Sequence, residues 1–124
     1  MNATLQAQQA YGRSHSPVRT GRTTELQLFG QITARLREAA AEEPMDFPTL
    51  AAALYENRRL WTHLAAEVAD GDNALPKDLR ARIFYLAEFT GLHTDLILRG
   101  TAEVEPLIDI NSAVMRGLAA EATA

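Results

Sequence analysis

Apolar residues in this chain return at steps of three and four, in four stretches broken by Gly, Pro, Asp and Asn. The clearest stretch runs Leu50, Leu54, Asn57, Trp61, Leu64, Val68. An α-helix turns once per 3.6 residues, so alternating steps of four and three keep these side chains on one face. That spacing belongs to helices packed side by side. No segment shows sustained alternation between turn signals, as a half-buried strand would. The pattern therefore limits the chain to a bundle of helices.

Four helices can be placed from their ends and stripes. Thr23 or Thr24 caps the first, with Glu25 at the positive end of its dipole. Leu26, Phe29, Ile32 and Leu36 form its stripe, and Glu42-Glu43-Pro44 ends it. Gly30 weakens its middle by about 1 kcal/mol relative to Ala and offers a neighbouring helix a place to approach closely. Asp46 caps the second helix, with Pro48 tolerated in the first turn. Asp70-Gly71-Asp72-Asn73 reads as the turn that follows.

The third helix starts after Leu75, with Pro76 at its first position, and stops at Arg99-Gly100. Leu79, Ile83, Leu86, Thr90, His93 and Ile97 share one face. Phe84, Phe89, Leu92 and Leu96 widen the apolar surface well beyond a single stripe. A helix this broadly apolar is either central in the bundle or covered by a partner. The fourth helix runs from Glu103 or Glu105 to Ala120, its inner face marked by Leu107, Asn111, Val114 and Leu118.

Residues 1–22 read as an N-terminal arm: a short helix carrying Leu5 and Tyr11, then the loop GRSHSPVRTG. Residues 23–120 form one helical domain, and 124 residues suffice for a single core. The expected fold is all-α, a compact bundle of about four main helices with an N-terminal helical arm.

Charge and composition narrow the function. The formal net charge is -4, with Lys77 the single lysine. Nucleic-acid binders draw most of their affinity from phosphate contacts and carry a basic surplus, so direct nucleic-acid binding is not expected. Arg58 and Arg59 with Arg80 and Arg82 are the best candidate basic patch, and they read as solvated faces or partner contacts. With no cysteine there is no disulfide, thiol nucleophile or cysteine-bound metal. No apolar run resembles a signal peptide or reaches the roughly 20 residues of a membrane span, so a cytoplasmic protein is expected.

Catalysis needs a nucleophile, an acid–base pair or a metal site. His15, His63 and His93 show no paired ligand spacing, and His93 reads as a hydrogen-bonded core residue. Asp70, Asp72 and Asp78 lack the later ligands of a calcium loop and suit a turn and a cap. No glycine loop would cradle a phosphate. The chain is therefore expected to work by binding, without enzymatic activity or cofactor.

Asn57 and Asn111 interrupt otherwise apolar stripes. A buried amide costs roughly 1–3 kcal/mol unless its hydrogen bonds are made. Each either pairs with a neighbouring helix and fixes register, or bonds the backbone of a bound peptide. Trp61 is either a core anchor or an interface hot spot. Arg59 and Leu60, on adjacent faces, suit surface contacts.

The stretch from Ala53 to Ala81 reads ALYENRRLWTHLAAEVADGDNALPKDLRA, and Leu107 to Leu118 reads LIDINSAVMRGL. These blocks, with Ala10-Tyr11 and the arginine-containing loop after it, resemble the FlaF family of flagellar biosynthesis proteins of alphaproteobacteria. The resemblance covers nearly the whole chain in order. It implies a protein that binds flagellin in the cytoplasm, supports its synthesis and secretion, and works in partnership with the translation regulator FlbT. It also implies a guest whose unpolymerised termini are unfolded, helix-prone and apolar, suited to helix-in-groove binding.

A groove between the second, third and fourth helices is the expected site. Leu60, Phe84 and Leu92 would supply its apolar contacts, and Asn57, Arg58, Arg59 and Asn111 its polar ones. The N-terminal arm would lie across the empty groove. Two other readings stand beside this one: a post-transcriptional regulator of flagellin expression acting with FlbT, and a small subunit of the export apparatus.

Overall fold

The computed structural model describes the backbone of residues 17–123 and the side chains of residues 23–121. Four helices make up this part: α1 Pro17–Ala41, α2 Phe47–Ala69, α3 Lys77–Leu98 and α4 Glu105–Thr123. No strand occurs among the described residues.

The local signals act where the spacing places them. Asp46 caps α2: its carboxylate accepts from Thr49 N at 3.4 Å and from Thr49 Oγ1 at 2.8 Å. Pro48 sits in the first turn of α2, where a missing N–H costs nothing. At the far end of α3, Gly100 takes φ 79 and its N–H bonds back to Ile97 O at 2.9 Å. A glycine in this left-handed conformation ends a helix without a Cβ clash.

Two boundaries differ from expectation. The first helix begins at Pro17, inside the segment read as a loop. Proline is pre-set for the first helical position, and the single Gly21 in the next turns costs only about 1 kcal/mol. The fourth helix continues past Ala120 to Thr123, carried by Ala119, Ala120, Glu121 and Ala122. The expected helix around Leu5 and Tyr11, and the arm's path, lie outside the described residues.

The helices stand in a ring, α1 beside α2, α2 beside α3, α3 beside α4, and α4 beside α1. The α2–α3 edge is the most extensive and α3–α4 the thinnest. No backbone contact joins α1 to α3 or α2 to α4, which stand across the diagonals. Short connections at 42–46, 70–76 and 99–104 join neighbours, the ordinary wiring of a four-helix bundle.

The core has two apolar halves. One gathers Phe29, Leu60, Trp61, Leu64, Ile83 and Leu118; the other gathers Leu36, Leu50, Leu54, Ile97, Leu107 and Ile108. Trp61 is a core anchor, 1% exposed and edge-on to Phe29 with ring centroids 5.7 Å apart. In each helix buried polar side chains fall between the two sets: Thr33 in α1, Asn57 in α2, Thr90 and Thr94 in α3 and Asn111 in α4.

Candidate partner-binding surface

Helix α3 is apolar on two sides, with Leu79, Ile83, Leu86 and Ile97 packed inward and a second set turned out. Its buried residues are Ile83, Thr90, Thr94 and Ile97, two of them threonines. Its aromatic rings and several of its leucines face outward: Tyr85 is 68% exposed, Phe89 38%, Leu92 69% and Leu96 42%. Steps of four, three and four keep these four within about 60° around the helix. Phe84, 46% exposed, lies apart from the stripe, about 80° further round the helix on the side of Glu88 and Asp95. Contiguous exposed apolar surface of this kind marks a place where something else packs. The breadth of apolar surface seen in the sequence is therefore left uncovered by the bundle itself.

Charged groups frame the stripe. Arg82 lies three residues before Tyr85 and Arg99 three residues after Leu96, so both continue its line. Both are exposed, and the ion pairs among the described residues involve neither. Glu88 and Asp95 flank one side. Asp95 is engaged: Arg58 Nη2 donates to its carboxylate at 2.8 Å and to Gly91 O at 3.0 Å. On the other side His93 stacks on Phe89, 5.4 Å between centroids and 15° between planes. Its Nε2 meets Glu103 O at 2.7 Å, and since a carbonyl only accepts, Nε2 carries the hydrogen. His93 is hydrogen-bonded as expected but half-buried at the edge of the stripe rather than in the core.

Arginines also fasten α3 to the end of α2. Arg80 donates to Val68 O from Nε at 3.1 Å and Nη2 at 3.0 Å, and from Nη2 to Asp70 O at 2.8 Å. These are carbonyls that a helix end leaves without partners. The turn holds itself, with Asp70 Oδ1 accepting from Asp72 N at 3.0 Å and Asn73 Oδ1 from Leu75 N at 3.0 Å. Arg58 and Arg80 thus serve different ends of the α2–α3 pair, about 15 Å apart by helical rise between residues 58 and 68. The four arginines do not form one basic patch.

The seven residues expected to share a groove do not meet in one. Asn57 and Asn111 are both 0% exposed. Asn111 Nδ2 donates to Asn57 Oδ1 at 2.8 Å and to Thr33 Oγ1 at 3.0 Å. Of the two readings of these amides, pairing between helices is the one the geometry realises, and neither has surface to offer a partner here. Leu60 is also buried, at 6%, because α1 covers that side of α2. With exposed Arg59 it borders a shallow groove of about 350 Å³ between α1 and α2, where Arg35 pairs with Glu56. Arg59 lies over the exposed Tyr55 ring, 5.9 Å from its centroid. Arg58 is half-exposed but held by Asp95. Of the seven, Leu92 alone belongs to the outer α3 stripe, while Phe84 is exposed further round the same helix.

Two features of the surface carry little or no periodic signal in the sequence. Tyr85 belongs to the α3 stripe, and its four-residue step to Phe89 was the available signal. A second apolar opening of about 370 Å³ lies at one end of the bundle, where Met45, Phe47 and Leu98 surround Leu50, Ile97 and Val104. Met45 and Phe47 belong to a loop and a helix start, where no periodicity announces them.

No group of three or more His, Asp or Glu among the described residues could hold a metal ion. None of the described helices is long and apolar enough to cross a membrane. A family model described as flagellar protein FlaF matches residues 7–118. Comparison with curated proteins and comparison with solved structures each found no match.

Proposed function

The chain belongs to the FlaF family of flagellar proteins, and from that premise we propose that it binds flagellin in the cytoplasm and supports its synthesis and export, as a chaperone-like partner without enzymatic activity. One observation carries this reading: α3 turns Tyr85, Phe89, Leu92 and Leu96 to solvent at helical spacing. A monomeric guest with helix-prone apolar termini needs cover of that kind until it polymerises. The site therefore moves from the groove between three helices to the outer face of α3, with Phe84 further round the same helix.

Co-purification with the cognate flagellin tests the reading. The expected result is a soluble complex that Leu92→Asp and Phe89→Asp each disrupt, with helical content unchanged by circular dichroism. A flagellin that fails to co-purify with the parent chain refutes it. The alternative, regulation of flagellin expression with FlbT, draws support from the same exposed face, because the dispersed arginines favour contact with a protein over contact with RNA. A complex with FlbT that excludes flagellin would select that alternative.

A further inference from the structure

We propose that the outer face of α3 takes one amphipathic helix whose apolar stripe is bracketed by carboxylates, which meet Arg82 and Arg99. This rests on the reading that α3 is where a partner docks, and adds what that partner must be. The stripe from Tyr85 to Leu96 has the four–three–four rhythm that receives the side chains of a second helix lying nearly alongside. Its length is about 16 Å at 1.5 Å per residue, and Arg82 and Arg99 stand about 25 Å apart by the same rise. A matching guest helix spans about five turns, with acidic residues near both ends and leucine-like residues between.

Charge decides against the simplest alternative, a second copy of this chain. An antiparallel pair that sets Tyr85 on Leu96 and Phe89 on Leu92 also sets Arg82 of each copy on Arg99 of the other. A parallel pair sets each arginine on its own equivalent and Glu88 on Glu88. Both arrangements oppose like charges at the ends of an apolar contact, which disfavours association. A guest with carboxylates at those positions reverses the sign at both ends, and finds two guanidiniums that no ion pair among the described residues engages.

The test uses the full chain and two dye-labelled synthetic helical peptides of about 21 residues. They share one leucine stripe at four–three–four spacing and differ only in carrying Glu or Lys at the two bracket positions. Fluorescence anisotropy should show the Glu peptide binding about tenfold more tightly than the Lys peptide, with the gap closing at high salt. The double variant Arg82→Glu, Arg99→Glu should invert that preference, and Leu92→Asp should abolish binding of both. Equal binding of the two peptides, no binding of either, an unchanged preference in the double variant, or undiminished binding by Leu92→Asp overturns the inference. Flagellin capture is measured in parallel. A peptide preference that behaves as stated without flagellin capture refutes only the flagellin reading. Flagellin capture with no peptide preference refutes only the carboxylate-bracketed helix.

Discussion

The indole N–H of Trp61 donates to Asn111 Oδ1 at 2.8 Å, joining α2 to α4 across the diagonal of the bundle. An indole nitrogen only donates, so it fixes which end of the Asn111 amide faces it. The Nδ2 end then donates to both Thr33 and Asn57. Asn57 must in turn present its oxygen, which leaves its own Nδ2 without a partner, as is Thr90 Oγ1. One tryptophan thus orients a polar layer that joins α1, α2 and α4.

Removing the centre of that layer should cost more than removing its edge. Asn111→Leu strands the Trp61 N–H and the Asn57 oxygen, and should destabilise by about 3 kcal/mol or more. Thr33→Val leaves Asn111 Nδ2 still bonded to Asn57 and should cost about 1 kcal/mol. Urea unfolding of the two variants gives the order directly.

Replacing the whole layer should behave differently from breaking it. A quadruple variant, Thr33→Val, Asn57→Leu, Trp61→Phe and Asn111→Leu, buries no stranded polar group from the network. It should be more stable than Asn111→Leu alone, because the desolvation penalty disappears with the partners. If the layer sets helix register, the same variant should show poorer dispersion in its amide NMR spectrum while keeping its helical content.

Two glycines should respond in opposite directions. A Cβ at Gly30 would meet nothing within 4 Å, so no neighbouring helix needs that space, contrary to what a glycine mid-helix suggests. Gly30→Ala should therefore stabilise by about 0.5–1 kcal/mol. Gly100→Ala should destabilise by about 1 kcal/mol, because φ 79 is costly for any residue with a Cβ. Thermal melts of both variants settle the signs.

Arg80 and Arg58 should separate by mechanism. Arg80→Ala frees the carbonyls of Val68 and Asp70 and should cost about 1–2 kcal/mol, with faster amide exchange through residues 70–76. The Arg58–Asp95 pair is about two-fifths exposed on both sides, so solvent screening reduces it to well under 1 kcal/mol. A double-mutant cycle on that pair should give a coupling that fades in 1 M salt.

Helix number, most helix ends and the buried stripe of α2 were legible in the sequence, because caps, turns and a 3.6-residue period are local. Asp46, Pro48, Gly100 and the series from Leu50 to Val68 act on the chain within a few residues of themselves. The partnership of Asn57 with Asn111, and the separation of Arg58 from Arg80, are facts of space between residues remote in sequence. The orientation of α3 was likewise open, since Ile83-Thr90-Ile97 and Tyr85-Phe89-Leu92-Leu96 both satisfy the helical period. Tertiary packing chose the first for the inside. Thr90 and Thr94, each 1% exposed, are small enough to be buried there, where an aromatic ring would need more room. The same requirement left the larger apolar set on the outside, where a partner can reach it.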